Sequence, residues 1–332
     1  MNRRHLLAAT ASLLAAPLAA PGVARAQGAA GGWPSRGSIR LIAQFPPGGL
    51  VDTISRLMAP PLGAALGQTV VVENRAGAGG VIGTDFVAKA PADGYTLLVS
   101  HASVHVFSAA TMPSLPFDPI ADFTHMMMLV EAPNILLVRA QSPFRTLDQY
   151  IVAARTRPVR YGSSGIGSAP HLLGAMLTAE GRAAQLDHVP YRGSAPAMQD
   201  LLANQIESMI DPITTNVQQM KDGSLRALAV SSPGRLPAFP DVPTFAELGY
   251  PRLTSAQWLG LSAPKGLPAP IAERLAALGP GILQRPELAA RFADLQTMPR
   301  ATPLSGAAFV AEIRQQIADW TAVARQFNIV VS

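Results

Sequence analysis

Three glycine turns stand where this chain could hold an anion. In "QFPPGGLVD", Gly48 and Gly49 close an apolar run and open a helical pattern with Asp52 in its first turn. In "NRAGAGGVIG", Gly77, Gly79 and Gly80 do the same, and "YGSSGIGSAPH" brings Gly162, Gly165 and Gly167 ahead of Ser168 and His171. The first amides of a helix have no partner inside it, and the helix dipole adds partial positive charge there. Glycine lets the backbone approach a bound group closely. One such turn alone is an ordinary strand-to-helix connection, and Asp52 alone is an ordinary helix-start acid serving orphan amides. Three of them predict a cleft that grips an anion mostly with main chain.

The other residue sets fail on spacing. The run Gly77 to Gly83 resembles a dinucleotide fingerprint, but its last glycine comes one place late and no acid closes the next strand near Ser100. "GSSGIGS" does not fit a nucleophile elbow at any offset, despite the nearby His171. His101 and His105 are spaced i,i+4 but follow a predicted strand and bring no glutamate, so they read as loop or core histidines rather than a metal pair. His188 in "DHVPY" reads as structural. The chain has no cysteine, which excludes disulfides, thiolate metal sites and a cysteine nucleophile. No catalytic constellation, cofactor or metal is expected.

The elements that must position the turns follow from hydrophobic rhythm. Strands are predicted at Ile39–Phe45, Thr69–Arg75 and Gly94–Ser100, with helical patterns between them, which is the pattern of a parallel sheet with helices on its faces. A second α/β series has strands at Asn134–Val138, Val159–Ser164, "DHVPY", Ile206–Asp211 and Leu225–Ser232. The last third, with strand Trp258–Pro264 and helices near 271–283, 287–295 and 304–326, is expected to pack back on the first lobe. The expected organisation is two α/β lobes, 35–131 plus 232–332 and 132–231, with ligands at the carboxyl ends of the strands.

Residues 1–26 carry Arg3-Arg4, an apolar Leu/Ala stretch and Ala24-Arg25-Ala26, an export leader cleaved after Ala26. The arginine pair half-fits a twin-arginine signal, while an ordinary secretory signal explains it as well. No later apolar run is long enough to span a bilayer. The formal charge of +5 drops to +2 once Arg3, Arg4 and Arg25 leave with the leader, which is no nucleic-acid footprint.

Seven blocks in register extend the argument: "FPPGGLVD", "VVVENRAGAGGVIGTDFVAKAPADGYTLL", "LPFDPIADF", "YGSSGIGSAPH", "HVPYRGSAPAMQDLLANQIESMID", "LRALAVSSPGRLPAFPDVPTFAELGY" and "WLGLSAP". Together they resemble the Bug family, the extracytoplasmic solute receptors of tripartite tricarboxylate transporters, from about Ile39 to the C-terminus. The resemblance implies a periplasmic, two-lobed type II binding protein. It would act as a monomer, close on a small organic carboxylate (a di- or tricarboxylate, an amino acid or an aromatic acid), and serve a pair of membrane permease subunits.

It also implies a ligand held by main-chain amides and ordered waters rather than by an arginine clamp. Carried over by position, the first lobe would contribute Phe45, Pro46, Gly48, Gly49 and Asp52, then Ala78, Gly79 and Gly80. The second lobe would contribute Ser163, Gly165, Ile166, Gly167, Ser168, His171, Tyr191 and Asp211, the last reading a ligand amine or hydroxyl. Val51 and Ile166 depart from the family's more polar choices, as does "EGRAAQLD" away from the cleft, which favours a ligand with an apolar or aromatic part over citrate. Two rival functions remain open here: a ligand-binding co-receptor for signalling, and an enzyme acting on a carboxylic acid.

Overall fold

The structure, a computed structural model, describes residues 32–112, 114–300 and 303–326; the expected leader lies outside them. Nine strands form one continuous hydrogen-bonded array ordered β2-β1-β3-β9-β4-β7-β5-β6, with β8 also pairing β4. Strands β1 (Ile39–Ala43), β2 (Val70–Asn74) and β3 (Thr96–His101) run parallel. The same holds for β5 (Val159–Ser163), β6 (Leu186–Pro190) and β7 (Ser208–Pro212) on the other side. Both β1 and β3 are near-continuous apolar runs because helices cover both faces of a parallel sheet. The remaining strands are β8 (Leu225–Val230) and β9 (Ala256–Pro264).

The two halves are joined by β4 (Phe123–Arg139), a strand of 17 residues. Its first part pairs antiparallel with β9 as far as Pro133 opposite Ala256, and its second part pairs with β7 from Asn134 onward and with β8. From the sequence only Asn134–Val138 reads as strand. Pro133 looks like a break but sits where the ladder passes from one partner to the next, so its missing N–H interrupts neither ladder in mid-run. The result is a mixed α/β, two-lobed binding-protein architecture with β4 crossing from lobe to lobe.

Helices follow the glycine turns. They are α1 (Leu50–Leu66), α2 (Val81–Ala88), α3 (Ala109–Thr111, after a π-helical turn over Ser103–Ser108), α4 (Leu147–Thr156), α5 (Ala169–Gly181), α6 (Ser194–Leu202) and α7 (Val217–Lys221). The C-terminal third supplies α8 (Ala269–Leu283), α9 (Pro286–Asp294) and α10 (Gly306–Gln326). Helix α8 packs on α1 and β4, and α10 packs on β4, α3 and the π-helical turn. Trp258 and Phe309 join a core cluster that also holds Leu136, Tyr150 and Leu172, so apolar packing is continuous between the two halves.

One contact fixes how α5 lies on β5, and with it the turn between them. A Cβ added at Gly174 would sit 2.2 Å from the Tyr161 ring, which is itself 2% exposed. Gly174→Ala is expected to destabilise the fold by about 2–4 kcal/mol through overpacking, read as a lowered urea midpoint at unchanged slope. A midpoint equal to wild type would show that Tyr161 has room to retreat.

Candidate functional site

The first turn is built by its own acid. The Gly48 N–H donates to Asp52 Oδ2 at 2.9 Å, and Asn74 Nδ2 donates to Asp52 Oδ1 at 2.9 Å and to the Phe45 carbonyl at 3.1 Å. Arg56 closes an ion pair with Asp52 at 2.9 Å. Burial works to raise the Asp52 pKa, but the bonds from Arg56, Gly48 and Asn74 outweigh it and hold the carboxyl below its usual value. Asp52 therefore faces the protein and shapes the loop, and it lines neither of the cavities described below. No described residue accepts from the amides of Gly49, Leu50 or Val51. The open helix start anticipated at this turn is there.

The third turn is different. Gly165 N–H donates to Ser163 Oγ, Gly167 N–H to His171 Nδ1 at 3.1 Å, Ala169 N–H to Ser103 Oγ, and His171 N–H to Ser168 Oγ. Ser168 Oγ also donates to the Gly165 carbonyl at 2.7 Å. His171 stacks on His188 with ring centroids 4.1 Å apart, and His188 Nε2 lies 2.6 Å from Ser163 Oγ. The start of α5 is thus saturated by side chains, so Ser163, Gly167, Ser168 and His171 brace the turn rather than offer free amides. Gly165 and Ile166 alone of that turn's predicted set face open space.

Its place is taken by a turn the sequence reading passed over. Gly193, at φ 128°, leads into α6, and Gly193, Ser194 and Ala195 face the same cavity as Gly49, Leu50 and Val51. Ser194 and Ala195 N–H find no described acceptor, and Pro196, in the first turn, has none to offer. The signal was present as "RGSAPAM", a Gly-Ser helix start with an early proline, but a single glycine drew no notice.

Asp211 likewise lies behind the cavity wall and does not line it. It is fully buried, with Oδ1 taken by Ser194 Oγ at 2.6 Å and Oδ2 by Thr215 and by Asn216 at 2.9 Å. Burial pushes its pKa up to about 6 against the pull of these donors. It orients Ser194 from behind the wall, and Pro212 beside it reaches the cavity.

The inner cavity is narrow, about 30 Å³ in volume, and is partly open to solvent. Phe45, Pro46, Pro47 and His101 complete its wall on one lobe, Ser164 on the other, and Gln257 comes from β9. No Arg, Lys, Asp or Glu lines it. Beyond Phe45, Pro46 and Ser164 it continues into a wider vestibule where Ala78, Gly79, Gly80, Gly165, Ile166 and Tyr191 meet. The lobes touch here. A Cβ on Gly79 would lie 2.9 Å from the Ile166 carbonyl oxygen, and one on Gly193 would lie 3.1 Å from Pro46 Cγ. Of the predicted site residues, Phe45, Pro46, Gly49, Ala78, Gly79, Gly80, Gly165, Ile166 and Tyr191 are brought together on this surface. Asp52, Ser163, Gly167, Ser168, His171 and Asp211 stand behind it, and Gly48 is exposed outside both cavities.

His105 is a core residue, packed edge-on against Phe123 and His125. His101 is not merely that. It is 4% exposed, lines the inner cavity, meets Phe45 edge-on at 5.5 Å, and has no partner for either ring nitrogen. Among the described residues no cluster of three or more metal-ligating side chains occurs, and no helix is long and apolar enough to cross a membrane.

Comparison with known proteins identifies the family and the fold. The model of the tripartite tricarboxylate transporter family receptor matches residues 54–326. BugT of Bordetella pertussis is 38% identical over 331 residues, covering 98% of this chain and 98% of BugT. Among solved structures, MatC from Rhodopseudomonas palustris with bound malate has a TM-score of 0.81 at 31% identity, covering 86% of this chain and 98% of MatC. Rpa4515 of R. palustris with adipate has a TM-score of 0.83 at 30% identity, covering 90% of this chain and 99% of that one.

Proposed function

Since the chain belongs to the tripartite tricarboxylate transporter receptor family, whose members are solute receptors and not enzymes, we propose that it captures a small organic carboxylate between its lobes and delivers it to membrane permease subunits. One observation carries the proposal: the starts of α1 and α6 face one cavity from opposite lobes, with amides that no described residue uses. A carboxylate spanning them would be met by two helix dipoles and would make its full set of bonds only when the lobes are shut. The malate and adipate bound by the two solved neighbours fit a site of this kind. The apolar share of the wall, Phe45, Pro46, Pro47, Leu50, Val51 and Pro212, would hold a short carbon chain.

In this reading lobe 1 is 35–131 plus 232–332 and lobe 2 is 132–231, hinged where β4 changes partners at Pro133 and where the chain returns to β9. The ligand contacts are Phe45, Pro46, Gly49, the vestibule set from Ala78 to Tyr191, and the added Gly193, Ser194 and Ala195. The receptor works outside the cytoplasm after losing residues 1–26.

The test is a thermal-shift panel on residues 27–332, refolded to strip carried-over ligand, against di- and tricarboxylates, amino acids and aromatic acids. A true ligand at about a thousand times its Kd should add roughly 4 kcal/mol and raise the melting temperature by several degrees. Hits confined to carboxylates support the reading; silence across every acid would sink it.

A further inference from the structure

We propose that His101 reads the second acidic end of the ligand, and that a dicarboxylate entering the inner cavity brings one proton with it, held between the imidazole and that carboxylate. This rests on the receptor reading above and adds to it a ligand class and a pH dependence.

The argument begins with charge. A helix N-terminus carries about half a unit of positive charge, so α1 and α6 together match one carboxylate. No lysine or arginine lines the inner cavity to match another; Arg192 stands outside it, in the wall of the vestibule. A second carboxylate sealed among Phe45, Leu50, Val51 and Pro212 would be a buried, uncompensated charge, which proteins avoid by pairing or by protonation. His101 is the one titratable side chain in that wall. Both of its nitrogens are buried without a partner, an arrangement that itself costs free energy and that a ligand oxygen would relieve.

The surroundings leave the ring free to respond. Burial alone holds the His101 pKa down at about 3, so the ring is neutral at pH 7. From its own segment, His105 places Nδ1 3.4 Å from the His101 carbonyl and is itself kept well below its usual pKa, by burial first and by His125 second. From α1, the Asp52 carboxylate is occupied by Gly48, Asn74 and Arg56. From β9, Gln257 accepts from Ser103 and donates to Asn134. The second lobe presents only the hydroxyls of Ser164 and Ser194. None of these can neutralise an imidazolium, whereas a ligand carboxylate against the ring can, and so it raises the pKa of the complex. The proton comes from solvent, and no covalent bond changes.

Succinate, malate and adipate, with hexanoate as the monocarboxylate control, would be titrated calorimetrically at pH 7 in two buffers of different ionisation enthalpy. The expected result is uptake approaching one proton per dicarboxylate bound and none for hexanoate. Dicarboxylate affinity should fall toward tenfold per pH unit above the pKa of the complex. His101→Gln keeps a hydrogen-bond donor but cannot take the proton; its proton uptake should vanish, and dicarboxylate affinity should drop at least tenfold. Dicarboxylate binding without proton uptake in the wild type, or equal uptake in His101→Gln, overturns this proposal and leaves the receptor reading standing. Absence of binding by the three dicarboxylates also overturns this proposal, while the receptor reading falls only if the wider thermal-shift panel is silent too. Should His101→Gln fail to fold, the two-buffer result on the wild type decides alone.

Discussion

Gly79→Val should weaken ligand binding by about a hundredfold or more while leaving the unliganded protein folded. Gly79 adopts φ 64°, ψ 18° at the start of the second turn, and a side chain there would point at the other lobe. Its Cβ would sit 2.9 Å from the Ile166 carbonyl oxygen, a backbone atom that cannot swing aside, and valine's methyl groups would intrude further. With the lobes apart nothing opposes the side chain except the left-handed backbone, about 1–2 kcal/mol. The substitution therefore acts on closure, and a ligand that meets α1 without α6 loses half of its anchoring. A hundredfold corresponds to about 2.7 kcal/mol, well within reach of that loss. Calorimetric affinity and the ligand-induced fall in radius of gyration by small-angle scattering would both read it. Wild-type affinity in Gly79→Val would show that binding needs no contact between these turns. Gly48 is the control: its φ is +83°, but a Cβ there meets nothing within 4 Å, so substitution strains the loop without blocking the cleft.

The contrast among the glycine turns shows what a sequence can reveal of such a site. The first turn was legible because its glycines and its acid are local, Gly48 donating to Asp52 four residues on, although Asn74 from β2 completes it. The third turn has the same composition, yet its amides are consumed partly by Ser103, which lies 66 residues from Ala169 in sequence. No pattern of glycines discloses that. The start of α6 was missed for the converse reason: one glycine is a weak signal, and its weight comes only from facing α1 across the cleft. Asp211 is expected from the resemblance to read a ligand amine or hydroxyl, but Ser194, Thr215 and Asn216 converge on it from sequence positions 17 residues behind to 5 ahead. The lobes themselves were readable from rhythm, whereas the shared β4 was not, because Pro133 hid the point where one ladder hands over to another.

The last expected result concerns acid. The chain has six histidines, and five of them, all but His5, which lies outside the described residues, are held below their ordinary pKa in the folded state. Burial is the leading cause in every case: His101 and His188 fall to about 3, His125 and His171 to about 4, and His105 well below its usual value. His125 keeps a partial counterweight in its bond to the Pro119 carbonyl, and His188 loses a little more to the adjacent His171. Since these folded values lie below the unfolded value near 6.5, the unfolded chain binds more protons once pH drops past that point. Stability is then complete above about pH 7 and is lost as pH falls through 6.5 toward 4. Asp211 works in the opposite direction: its folded pKa of about 6 exceeds the unfolded one, so protonation there favours the fold over the same range. Asp211 and Glu180, both held above their ordinary values, oppose five rings held below theirs, so the net change between pH 7 and pH 5.5 is a loss of stability. Urea midpoints measured across this range should fall steeply, and a flat profile would mean that the rings are hydrated or paired well enough to charge in place.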